Sequence, residues 1–107
     1  MSIGTRGGLA LALLAATPTI AAADITIATR WKAMSESARD CLGHAQMAIF
    51  RAGFDPRDPG SQTMSGKRGD TIASIRCVPE QRVVFFVVAG PFAETTSRYL
   101  DDLYAHF

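Results

Sequence analysis

The sequence predicts an α+β domain of two layers: a mostly antiparallel sheet of three to four strands with two helices, in the order β-α-β-β-β-α. Two amphipathic stretches and one uniformly apolar run carry that expectation. Ala38, Cys41, Leu42, Ala45, Ile49 and Ala52 recur at helical spacing, and Phe92, Thr96, Tyr99, Leu100, Leu103 and Phe107 do so again at the far end. Between them, residues 83–88 read VVFFVV, six β-formers without a polar residue, as in a central strand.

Taken in chain order, residues 1–23 contain no acidic residue. The amino terminus and Arg6 are positive, Leu9 to Ala16 is an unbroken apolar run, and Thr17 and Pro18 precede Ala21, Ala22 and Ala23. A positive start, a short apolar run and an Ala-x-Ala site are the layout of a secretory signal peptide. The run falls far short of the roughly 20 residues of a spanning helix, so no stable membrane span is expected after cleavage. There is no Cys at the cleavage point to take a lipid and no twin-Arg pair. Cleavage after Ala23 leaves residues 24–107 as a single domain of 84 residues, formally neutral once Arg6 is gone. A chain that short buries only about 60–65% of its unfolded surface.

Residues 25–31 alternate Ile25 and Ile27 with polar residues and end on Trp31, the pattern of a short strand. A helix is predicted over 35–52, with Ser37 to Asp40 forming a capping box and Ser35 a rival cap. Gly53 is its expected stop, and Phe54 is placed to fold back on Ile49 in a Schellman turn. Residues 55–60 read as a loop, with Pro56 and Pro59 outside regular structure. Strands follow at about 61–66, 70–78 and 83–89, joined by turns at 66–69 and 79–82. Either a two- or a four-residue loop sets Val78 opposite Val83. Ala73, Ile75, Cys77, Val84, Phe86 and Val88 then share one face, and Ile72, Ser74, Arg76, Val78, Val83, Phe85 and Val87 the other. A one-residue bulge would exchange the two sets downstream of it. Gly90 and Pro91 open the last helix, with proline in its first turn.

Composition narrows the chemistry. Eleven Lys and Arg against ten Asp and Glu leave a net charge of +1, whereas a nucleic-acid module would show a basic excess; no nucleic-acid partner is expected. Two cysteines and two histidines could close a zinc site only as Cys2His2, and that spacing is absent, so neither metal nor other cofactor is expected. In the oxidising compartment that export implies, Cys41 and Cys77 are expected to pair. The bond would lay the first helix over the Cys77 face of the sheet. Cys41 and His44 stand three apart on one helix, as a metal pair or Cys–His nucleophile would, but a disulfide consumes the thiol, leaving His44 at the rim. His106 lies where a cation suits a helix end. Asp101 and Asp102 are adjacent and point about 100° apart, so they make no acid–base dyad. Lys67 and Arg68 read as a solvated turn. No catalytic residue is assigned; an enzyme built on His44 with Asp40 is the weakest reading.

Trp31 carries the largest binding payload in the chain, and packing into the core at the end of its strand is expected. Failing that, it joins Ile72, Phe85 and Val87 as a candidate partner surface on the outer face of the sheet. The partner would be an envelope or extracellular molecule, or a second copy in a homodimer.

The chain from Trp31 to Phe107 resembles a set of small exported bacterial proteins of unknown function. The residues that carry the likeness are Trp31, Glu36, Ser37, Cys41, Gly53, Phe54, Gly66, Gly69, Asp70, Ile75, Arg76, Cys77 and Val84 to Gly90. This resemblance implies neither an activity nor a site. Val87 to Phe92 (VVAGPF) before a helix is also similar to the repeated half of peptidoglycan-binding SPOR domains, with the strand and helix ending in Ala52, Gly53 and Phe54 as the first half. SPOR domains end on a strand and lack the hairpin around Gly66, so no binding residue is carried over. The expected function is a non-catalytic small exported protein, periplasmic or secreted, acting as a binding module of the cell envelope. The alternative is a hydrolase inhibitor presenting residues 55–61 or 66–69.

Overall fold

The computed structural model describes residues 24–57 and 59–107. The expected leader, residues 1–23, lies outside the described residues. The remainder is α+β: strand β1 (Thr26–Ala33), helix α1 (Ala38–Arg51), strands β2 (Asp55–Pro56), β3 (Thr63–Arg68), β4 (Thr71–Val78) and β5 (Val83–Gly90), and helix α2 (Ala93–His106). The strands form one antiparallel sheet in the order β1-β5-β4-β3-β2. The five strands exceed the expected three to four because Asp55 and Pro56, read as loop, pair with Lys67 and Gly66. Pro56 is tolerated there because an edge strand can leave one side of its backbone unpaired.

α1 begins at Ala38, three residues later than expected. Ser37 is its N-cap and accepts a hydrogen bond from the Asp40 amide at 3.1 Å. It ends in the anticipated Schellman turn: the Phe54 amide donates to Ile49 O and the Gly53 amide to Phe50 O, both at 3.0 Å. Gly53 supplies the left-handed residue, φ +87°. Cys41, Ala45, Ala48 and Ile49 form the buried stripe of α1. Its small residues let the helix axis approach the sheet closely.

The β4–β5 hairpin has the expected register, Val78 opposite Val83. Pro79–Gln81 form a 3-10 turn and Arg82 closes the loop in a left-handed conformation, φ 56°. Ala73, Ile75, Cys77, Val84, Phe86 and Val88 are fully buried. The Cys41–Cys77 disulfide, with Cα atoms 6.2 Å apart, ties α1 to this face. On the same face, Phe86 meets the rings of Tyr104 and Phe107, and Leu100 and Leu103 of α2 are buried with it. Both helices therefore cover one side of the sheet.

Three local expectations are corrected. β3 runs from Thr63 to Arg68, two residues later than predicted, so Lys67 and Arg68 lie in a strand and the turn is Gly69–Asp70. Gly69 takes φ +59° at the first central position, as a two-residue II′ turn requires. Gly66 is consequently a strand residue under α1. Pro91 stands before the first turn of α2, because Phe92 is the N-cap and is 66% exposed, outside the apolar stripe assigned to it. Trp31 does not pack into the core: it is 62% exposed.

Candidate functional site

The position of Trp31 follows from the phase of β1. Trp31 pairs with Phe85 and Ile27 with Ala89, and residues directly opposite in an antiparallel sheet share a face. Arg30 and Lys32 therefore point toward the helices. The Arg30 guanidinium lies 3.6 Å from the Tyr104 ring centroid and 3.5 Å from Asp101. The Lys32 ammonium sits 4.2 Å from the Tyr104 centroid and 5.2 Å from that of Phe107. Their aliphatic stems complete the rim of the core while the charged heads rest on π faces. This cation–aromatic border was not anticipated; its one sequence signal is that both cations share parity in a strand followed far away by a helix ending in aromatics.

With Arg30 and Lys32 inward, the outer face collects the apolar residues of three adjacent strands. One row runs Ile27, Ala89, Ile72, Lys67, Asp55; the next Thr29, Val87, Ser74, Ser65; the third Trp31, Phe85, Arg76, Thr63. The apolar ends of these rows lie together over β1, β5 and β4, and the polar ends over β3 and β2. Arg76 is held toward the polar side, donating to Thr63 Oγ1 at 3.1 Å and Gln62 Oε1 at 3.3 Å. Ile27 (65%), Ile72 (53%) and Phe85 (45%) are exposed beside Trp31, and Val87 is half-buried. At about 200 Å² for each fully exposed large apolar residue, the four exposed side chains alone present on the order of 450 Å². That matches the largest apolar patches of ordinary monomers, which are often functional. Trp31, Ile72, Phe85 and Val87, singled out from sequence as a partner surface, are thus brought together on one face, and Ile27 joins them.

The other candidates separate. His44 Nδ1 lies 2.6 Å from Glu36 Oε2 and its ring packs edge-on against Phe107; its partner is Glu36 and not Asp40, whose amide serves the N-cap. Cys41 is in the disulfide. Asp101 and Asp102 are both exposed, and Asp101 lies 3.5 Å from Arg30. Among the described residues there is no ligand-sized cavity, and no three His, Cys, Asp or Glu side chains gather as a metal site would require. No described helix is long and apolar enough to cross a membrane.

Arg68, read as a solvated turn cation, is half-buried and structural. Its guanidinium donates to Ala52 O at 2.9 Å, at the C-terminal end of α1, and lies 4.1 Å from the Tyr99 ring centroid. It joins α1, β3 and α2. Arg68→Ala is expected to lose about 2–4 kcal/mol, the sum of a charge-assisted hydrogen bond and a partly desolvated cation–π pair. Arg68→Lys should recover only part of that, because an ammonium cannot stack and fork at once. A urea midpoint unchanged in Arg68→Ala, at unchanged m, would remove this role.

No family model, curated protein or solved structure matches the chain. The class of molecule is defined by its own geometry: a disulfide-closed α+β domain with helices on one side of its sheet and, on the other, an apolar surface that nothing among the described residues covers.

Proposed function

We propose that the protein is a non-catalytic exported binding module of the cell envelope, periplasmic or secreted, that docks a protein partner on the outer face of its sheet. The uncovered patch of Ile27, Trp31, Ile72 and Phe85 carries this reading. The Cys41–Cys77 bond supports an oxidising, extracytoplasmic location. The patch has the composition of an interface centre, with an aromatic anchor, aliphatic neighbours and a polar rim of Lys67, Asp55 and Arg76. The inhibitor alternative loses part of its support, since residues 66–68 belong to β3 and Arg68 is engaged within the fold.

The test uses the exported chain as bait on solubilised envelope and culture-fluid proteins, beside an Ile72→Lys/Phe85→Lys variant. Both positions are exposed, so the variant should keep the wild-type circular dichroism, with a melting temperature lowered only modestly by the new like-charge pairs across from Lys67 and Arg76. A specific partner should be retained by wild type and lost at least about tenfold by the variant, as expected for a central interface patch. Retention by both, or by neither, would defeat the reading.

A further inference from the structure

We propose that two copies of this chain pair along β1, antiparallel about a two-fold axis, to continue the sheet from one copy into the other. This goes beyond the outer-face reading and uses a different surface, the β1 edge of the sheet, which no other described strand pairs with.

The two edges of the sheet are built differently. β2, at one end, has two residues and contains Pro56 beside Asp55. Shortness, proline and charge are ways in which an edge resists a further strand. β1, at the other, has eight residues, an unbroken register with β5, and neither proline nor glycine. The Met34 amide donates to Arg82 O in continuation of that register. Bonded pairs alternate along an antiparallel ladder, so the even-numbered residues of β1 bond to β5. The amides and carbonyls of Ile27, Thr29, Trp31 and Ala33 consequently point outward, where no strand pairs with them among the described residues.

Charge selects a second copy as the occupant. Asp24 lies just ahead of β1 and Lys32 near its end. An antiparallel two-fold centred on Ala28 sets Lys32 opposite the second copy's Asp24, at both ends of the pairing. The same register sets Trp31 opposite the second copy's Ile25, an aromatic–β-branched pair of the kind that stabilises sheets, and Thr29 opposite its Ile27. Arg30 meets Thr26. Centring on Arg30 would instead place that cation against itself, and centring on Thr29 leaves Lys32 facing Thr26. The favoured register also makes the two apolar outer faces continuous, with a Trp31 on each side of the seam.

The experiment is sedimentation velocity on the chain exported with its own leader, over about 1 μM to 1 mM, the span of weak to moderate association. A monomer–dimer equilibrium is expected. Thr29→Pro removes only an outward amide, so it should shift the dissociation constant at least tenfold toward monomer with the melting temperature retained. Asp24→Lys, outside the strand and exposed, should weaken the dimer about tenfold with the fold intact, and it decides the matter if Thr29→Pro fails to fold. A monomer throughout the range overturns the proposal, as does a dimer unaffected by both Thr29→Pro and Asp24→Lys. A dimer lost instead in Ile72→Lys/Phe85→Lys assigns self-association to the face and overturns edge pairing. A strict monomer that still captures an envelope partner leaves the outer-face reading standing.

Discussion

Replacing both cysteines, Cys41→Ala/Cys77→Ala, is expected to destabilise the domain by about 4 kcal/mol and to lower its melting temperature by roughly 16–30 °C. The bond closes a sequence separation of 36 residues. In the chain-entropy picture most of its effect lies in the unfolded ensemble, which it denies a large share of its extended conformations. Both cysteines are fully buried between α1 and the sheet, so truncation to alanine also leaves a small void that the neighbours fill only partly. A domain of this size has a total stability of about 4–13 kcal/mol. The double variant should therefore sit near the edge of folding at 37 °C. Thermal melts of oxidised wild type, reduced wild type and the double variant are the measurement. Reduced wild type melting within a few degrees of the oxidised protein would show that packing alone holds α1 in place.

Gly66→Ala is expected to destabilise by about 3 kcal/mol, at the upper end for one methyl group forced into a packed interior. Gly66 is buried in β3 directly beneath α1. A Cβ there would stand 2.7 Å from Ile49 Cγ2, 2.9 Å from Phe54 Cβ and 3.0 Å from the Asp55 carbonyl oxygen. Two of the three obstacles are backbone or the first atom of a side chain, and none can swing away. Relief requires α1 to lift from the sheet or β2 to leave β3, and either movement disturbs the Schellman turn that ends α1. Gly43 is the internal comparison. It lies on the exposed side of α1 with nothing within 4 Å of a new Cβ, and Gly43→Ala should stabilise by about 0.5–1 kcal/mol through helix propensity. Urea titration of both variants separates the cases. Equal shifts of one sign would mean that the space above Gly66 is not filled as described.

Much of the fold was legible because its signals are local. The stripe of α1, its Ser37 cap and the Gly53–Phe54 exit are written within one stretch of chain, since a cap satisfies amides and carbonyls only a few residues away. The β4–β5 hairpin was legible for the same reason: a four-residue loop determines its register, and the register separates Phe86 from Phe85. The boundaries of β3 were not. Gly66 and Gly69 both look like turn residues. Only the packing of Ile49 and Phe54 shows that Gly66 is needed for space, while Gly69 is needed for its positive φ. β2 was invisible because two residues carry no period.

The candidate surface was legible in part. Ile72, Phe85 and Val87 were placed on the outer face by hairpin arithmetic, and the structure puts them there. Trp31 was expected inside, and Ile27 was not counted. Alternation in a strand states which residues share a face but not which face meets the core. By themselves, the residues determined two helices, a central apolar hairpin and two cysteines that an oxidising compartment would join. The tertiary structure alone decided the phase of β1. Arg30 and Lys32 can turn inward only because α2 delivers Tyr104 and Phe107 to receive their charges, and once they do, Ile27 and Trp31 have nowhere to go but the open face.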